Sequence, residues 1–275
     1  MRWAGRLSSR TQCHTTDLIA AVDEHAARIG QSSLGAQERF NLAERLTSII
    51  YPPYKFSEFG RLWLGDEVFF TTYRKAMDRG NWHSADRKFL LKELLRGTDS
   101  LGGDFAECGT YRGGSAVFMC DAAMAHGRTV HLFDSFMGLS QPEKVDGDYW
   151  KKGSLACTVD SLHETLAGYE NYKVYEGWIP DRFADVRGKQ FAFVHIDVDL
   201  YQPTFDSLNF FYPRLLPGAL ILLDDHGFAS CPGARAAAID FFQDKPEPVM
   251  DMPTGQGLVI VNGKGGRHVT MKTST

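Results

Sequence analysis

The spacing of apolar residues changes character about a third of the way along the chain. Up to Gly97, apolar positions recur at helical spacing over residues 16–29 and 36–50, and again over 84–95 with Ser84 placed as an N-cap. Tyr51-Pro-Pro-Tyr54 closes the second of these segments, since proline cannot continue a helix, and an aromatic-rich stretch from Phe56 to Tyr73 follows. From Gly102 onward, short apolar runs alternate with helical segments. Residues 104–108, 129–133, 173–175, 191–196 and 219–223 read as strands, and 115–125, 161–166, 205–211 and 233–242 as helices.

Strands that alternate with helices form βαβ units, hence an α/β fold with a mostly parallel sheet covered on both faces. Residues 257–262 add a strand suited to be the antiparallel one. The expected organisation is an N-terminal helical region over 1–97 and an α/β domain over 98–275. In such sheets ligands sit beyond the carboxyl ends of the strands, near the reversal of strand order.

Composition narrows the setting. With 43% hydrophobic and 23% charged residues and a net charge of -4, a nucleic-acid polyanion is not the expected partner. The short basic cluster Lys264, Arg267 and Lys272 reads as a solvated tail. Five cysteines (Cys13, Cys108, Cys120, Cys157, Cys231) without a Cys-x-x-Cys pair suit a reduced protein. The start, Met1 to Arg10, is basic and lacks a signal-peptide apolar run, and no run is long enough to span a membrane. A cytoplasmic protein is expected, with a short transit peptide as the alternative.

The chemistry begins at Glu107-x-Gly109-x-x-x-Gly113-Gly114, which follows the first strand and opens a helix. Glycines let the backbone turn sharply and approach a ligand. A dinucleotide site would carry Gly-x-Gly-x-x-Gly, with pyrophosphate on the helix N-terminus. Here an acid, Glu107, stands where the first glycine would be. A carboxylate repels pyrophosphate but suits an ammonium and a sulfonium, which favours S-adenosylmethionine over NAD. Asp134 ends the second strand about twenty-five residues after the turn, where a carboxylate can bind ribose hydroxyls; the plainer reading is a cap.

Two further strand ends are rich in acids: His195-Ile-Asp197-Val-Asp199-Leu-Tyr201 and Leu223-Asp224-Asp225-His226. So many like charges in one mouth need protons or a cation. Oxygen donors without cysteine point to Mg²⁺. Such an ion could bind adjacent hydroxyls of a sugar or catechol, and a nearby aspartate could act as general base. His195 and His226 fit structural hydrogen bonding as well as substrate contact.

These pieces together resemble the macrocin O-methyltransferase family, which methylates deoxysugar hydroxyls of macrolide and aminocoumarin antibiotics. The matching segments are Asp104-Phe-Ala-Glu-Cys-Gly-Thr-Tyr-Arg-Gly-Gly-Ser115, Leu132-Phe-Asp-Ser-Phe-Met-Gly-Leu139, Glu176-Gly-Trp-Ile-Pro-Asp181, His195 to Tyr201 and Leu223 to His226. The resemblance implies a class I methyltransferase (Rossmann-like) fold, S-adenosylmethionine, Mg²⁺ and a homodimer acting on a small-molecule acceptor. It implies that Glu107 and Asp134 hold the amino-acid end and ribose of the cofactor. Gly109 and Ser115 would line the same pocket, flanked by Ser135 and Trp178. Asp197, Asp224 and Asp225 match metal-ligand positions, and Asp199, with Asp197 as rival, is the expected base. The chain departs from the family at Met137, Ser140 and Trp178-Ile-Pro-Asp-Arg-Phe-Ala184, near the expected cofactor rim. Residues 141–153, with Tyr149 and Trp150, read as a lid or a surface loop. A catechol acceptor is the alternative within this chemistry, and an NAD-dependent oxidoreductase or epimerase the alternative outside it.

Overall fold

The computed structural model describes residues 15–30, 33–51, 53, 55–58, 60–77 and 83–262. The basic start, Cys13 and the cluster Lys264, Arg267 and Lys272 lie outside the described residues, as do two positions of the Tyr51–Tyr54 break. The chain divides into two compact units, one up to Gly65 and one from Asp66. No helix among the described residues is long and apolar enough to cross a membrane.

The first unit pairs α1 (Thr15–Ile29) with α2 (Ala36–Ile50). His25 Nε2 donates to the Leu42 carbonyl at 2.8 Å, and Phe40 stacks on Phe56 with ring centroids 5.1 Å apart.

The second unit starts earlier than the expected boundary at residue 97. It takes in α3 (Glu67–Ala76) and α4 (Ala85–Arg96). Asp66 caps α3 by accepting the Phe69 N–H at 2.9 Å, and the buried Phe69 ring meets Phe118 at 5.6 Å. Leu91 and Leu95 of α4 are fully buried. Their apolar faces therefore belong to the sheet's helical layer, a tertiary fact that helical periodicity cannot report.

The sheet is built from β1 (Asp104–Cys108), β2 (Val130–Asp134), β3 (Tyr172–Glu176), β4 (Phe191–Ile196), β5 (Leu215–Leu223), β6 (Met250–Asp251) and β7 (Gly257–Ile260). Helices α5 (Ala116–Met124), α6 (Val159–Thr165), α7 (Tyr201–Phe211) and α8 (Pro232–Phe242) connect it. Strand order is β3-β2-β1-β4-β5-β7-β6, parallel through β5, with β7 antiparallel to both β5 and β6. Every residue of the apolar β4 is buried, whereas β3, at the edge of the sheet, has none that is. Helix α7 begins four residues earlier than predicted because Pro203 sits in its first turn, where a missing N–H costs nothing. The chain runs outward from β1 to β3 on one side and from β4 to β5 on the other. The switch point therefore lies between β1 and β4, whose register pairs Glu107 with His195.

Candidate active site

The glycine turn leaves β1 at this switch point. Gly109 has φ +80°, and a Cβ there would lie 1.8 Å from the Asp197 carbonyl oxygen. Only glycine permits this approach, which joins the end of β1 to the end of β4. The Asp197 N–H returns a bond to the Cys108 carbonyl at 2.9 Å. Asp134 fixes the same turn from β2. Its Oδ2 accepts the Thr110 and Tyr111 N–H groups at 2.9 and 2.8 Å, and Oδ1 accepts the Phe136 N–H at 2.7 Å. Asp134 thus serves as a cap as well as a cavity-lining carboxylate. Gly109→Ala is expected to destabilise the protein by about 2 kcal/mol or more, through overpacking and a left-handed backbone that alanine resists. Thermal melting checks this; an unchanged Tm would mean that the close approach is not there.

A cavity of about 510 Å³ opens above the switch point. One wall carries Gly109, Ser115, Asp134 and Ser135, and the other carries Asp197, Asp199 and Asp225; Trp178 borders it, 41% exposed. Glu107 and Asp224 lie behind this wall, both almost inaccessible. They belong to a buried chain of contacts. His195 Nδ1 lies 3.0 Å from Glu107 Oε1, and its Nε2 lies 3.2 Å from Asp224 Oδ1. Gln256 donates to the same Asp224 oxygen at 2.6 Å. Burial pushes the Glu107 carboxyl well up and the His195 imidazole well down, directions that favour the uncharged form of each.

The three aspartates expected to share a metal divide between two clusters. Asp197 and Asp224 meet at His83, with His83 Nε2 3.3 Å from Asp197 Oδ2 and Nδ1 3.6 Å from Asp224 Oδ2. Asp225 turns instead toward Asp199 and Cys231. Its Oδ2 accepts the Asp199 N–H at 2.9 Å. Asp224 and Asp225 are consecutive beyond the end of β5, so their side chains diverge; Asp199 lies beyond the end of β4 with φ +59°, where strand alternation no longer governs its side chain. Burial, with Asp197 nearby, pushes the Asp199 carboxyl up to about 7. Burial also raises Asp197 and, together with Asp199, raises Asp225.

Residues 91–252 match the family model described as macrocin-O-methyltransferase (TylF). The chain belongs to the macrocin-O-methyltransferase family. A relative from Streptomyces olivaceus, 8-demethyl-8-(2,3-dimethoxy-alpha-L-rhamnosyl)-tetracenomycin-C 4'-O-methyltransferase, is 31% identical over 147 residues, 48% of this chain and 56% of its own. The chain spans about half the length of the curated relatives it matches. Among solved structures, the O-methyltransferase NovP is similar at 20% identity and TM-score 0.57, over 71% of this chain and 88% of its own. The apo structure of CalS11, a TDP-rhamnose 3'-O-methyltransferase, is similar at 16% identity and TM-score 0.51, over 85% of this chain and the whole of its own. These likenesses establish the class I methyltransferase fold.

Arg87, Lys88 and His83 also belong to the site, though no sequence motif marks them. Arg87 and Lys88 are buried on α4 beside Leu91 and Leu95. Arg87 forms an ion pair with Asp224 Oδ2 and lies over the Phe228 ring, 4.6 Å from its centroid. Lys88 Nζ donates to Ser115 Oγ, and burial lowers its ammonium to about 7 against the pull of Asp197. The available signal was two basic residues on the apolar face of a predicted helix. The 141–153 segment is tied down at two points. Asp146 Oδ1 accepts the Tyr201 N–H at 2.7 Å, and Trp150 Nε1 donates to Cys231 Sγ at 3.3 Å.

Proposed function

We propose that the protein transfers a methyl group from S-adenosylmethionine to a hydroxyl of a small molecule, the acceptor being a sugar hydroxyl of a glycosylated natural product. Asp199 carries this reading. It is a carboxylate raised to about 7, on the wall of a cavity at the switch point, facing a βα glycine turn. Two of the similar proteins support the sugar: one is described as acting on a rhamnosyl tetracenomycin and the other on TDP-rhamnose.

The turn suits the cofactor. Gly109 leaves the backbone bare beside the cavity, Ser115 and Asp134 offer polar partners, and Leu139, Leu155 and Ile179 supply apolar wall. S-adenosylmethionine supplies a methyl carbon activated by a sulfonium sulfur. Mg²⁺ also has a donor set here. Asp197 and Asp224 oxygens and a His83 nitrogen lie within 4.8 Å of one another, with Asp225 adjacent. A divalent cation held there would supply positive charge that stabilises a developing alkoxide.

The chain's own residues do the rest. Asp199 accepts the acceptor's hydroxyl proton as its oxygen bonds to the methyl carbon, the carbon–sulfur bond breaking to leave a neutral thioether. Tyr149, Trp150 and Trp178 border the cavity with aromatic surface. The glycine turn and Asp134 hold one reactant against the other, so that positioning accounts for much of the rate. To the N-terminal helical region we assign acceptor selection or dimer contacts within a homodimer.

The test incubates the full chain with labelled S-adenosylmethionine, Mg²⁺ and two probes, TDP-rhamnose and a rhamnosyl glycoside, with mass analysis of products. Methylated sugar is the expected result, and chelator should abolish it. Turnover that survives chelator removes the cation from the reading. No product from either probe, together with no S-adenosylmethionine binding by calorimetry, removes the reading itself.

A further inference from the structure

The wall opposite the glycine turn contains a thiol that the reaction above does not use. Cys231 stands at the N-cap of α8, 2% exposed, and borders the cavity. Its Sγ–H donates to Asp199 Oδ1 at 3.3 Å, while Sγ receives the Trp150 indole N–H at 3.3 Å and lies 3.4 Å from Ser230 Oγ. The two donors follow one another in a single direction, from the 141–153 segment through sulfur to the carboxylate.

We propose that Cys231 is a positioning residue for Asp199, holding one carboxylate oxygen so that the other faces the acceptor, and that through Trp150 it ties the 141–153 segment to that carboxylate. The inference rests on the reading of Asp199 as the base.

Asp199 needs such a partner. Its φ of +59° takes it off the strand, so β4 does not orient its side chain. Its backbone is held by Asp225 Oδ2, which leaves the carboxylate itself to be placed by other groups. An apolar residue at 231 would leave both Asp199 Oδ1 and the Trp150 N–H without this bond in a dry wall, and unmade bonds in such places are costly. The neighbourhood is shaped to bring the segment in. A Cβ at Gly233 would come within 1.8 Å of Asp146 Oδ1, so the first turn of α8 is bare where Asp146 lands. Asp146 also closes its own turn by accepting the Glu143 N–H at 2.8 Å. Asp146 and Trp150 thus bring one short segment onto the N-terminal ends of α7 and α8, with the thiol between the segment and the base.

The test compares the full-length protein with Cys231→Ala, Cys231→Ser, Trp150→Phe and Asp199→Ala. The S–H stretching band that Cys231→Ala removes from the Raman spectrum is expected to move to higher frequency in Asp199→Ala. With TDP-rhamnose as probe, Cys231→Ala should lower kcat about tenfold, the size of a lost bond to a carboxylate, and leave acceptor KM and S-adenosylmethionine Kd within about twofold. Cys231→Ser, which keeps a donor, should recover most of that loss. Trp150→Phe should cost less in kcat, and nothing further once Cys231 is alanine. A band that ignores Asp199→Ala overturns the proposal, and this readout needs no acceptor. So does a Cys231→Ala enzyme with wild-type kcat, or one that loses kcat, KM and Kd alike without rescue by serine. If the band responds but Asp199→Ala still turns over normally, the bond stands and the assignment of Asp199 as base falls.

Discussion

Replacing Asp199 by asparagine is expected to lower kcat by about a hundredfold or more while S-adenosylmethionine affinity stays within about twofold. Asparagine keeps the shape and can still take the Cys231 bond, but it cannot accept the hydroxyl proton. In the wild type, only the deprotonated carboxylate works as a base. kcat/KM should therefore rise with pH to a plateau, and Asp199→Asn should lose that rise. The same group leaves a mark on stability. Its folded pKa is raised, so the native state holds the proton more tightly than the unfolded chain. Native stability contributed by this group is full below the ordinary aspartate value and is lost as pH climbs toward about 7. Asparagine, always neutral, escapes that loss. Its Tm should exceed the wild type's at about pH 8 and converge with it at about pH 4. A parallel offset at both values would mean that the Asp199 carboxyl is not perturbed.

Arg87→Met is expected to destabilise the metal-free protein by about 3 kcal/mol, because it leaves the Asp224 carboxylate buried without its cation. Of the partners that remain, His195 and Gln256 are engaged through Oδ1, and His83 faces Oδ2, the oxygen that Arg87 pairs with. A divalent cation held at Asp224 would therefore compete with the guanidinium for one side of one carboxylate. With the guanidinium gone, Mg²⁺ should bind about tenfold more tightly and restore much of the lost Tm. Titration calorimetry and melting with and without Mg²⁺ measure both effects. A variant that melts like the wild type without metal would show that the ion pair contributes nothing to stability. A variant whose Mg²⁺ affinity is unchanged would show that the ion does not bind at Asp224.

The parts of the site that were legible are those in which chemistry and local backbone coincide. The glycine turn is local, since Gly109 must be bare where Asp197 approaches. The acid-rich ends of β4 and β5 are local too, and the alternating pattern placed them at one mouth of one sheet. Three things were not legible. Helix α4 carries Arg87 and Lys88 into the acids from over a hundred positions away in the chain, and helical periodicity records only that they share a face with Leu91 and Leu95. The direction of the Asp199 side chain depends on one positive φ, which no alternation rule contains. Strand β6 spans only Met250–Asp251, too short to leave an apolar pattern, and exists because β7 offers it an edge. Asp134 shows the converse case. Its position at the end of β2 suggested a ligand contact, yet much of its carboxylate is spent on the turn it borders.

The register that sets Glu107 opposite His195 has a thermodynamic consequence. Glu107, His195 and Asp224 form an unbroken hydrogen-bonded bridge beneath the cavity floor, from the strand that carries the glycine turn to the strand that carries the acids. An occupant of the glycine turn and a cation at Asp224, if both bind, would be coupled through such a bridge. By whatever factor an occupant of the turn tightens a cation at Asp224, that cation must tighten the occupant of the turn, and a substitution at His195 should weaken both sides of that exchange together.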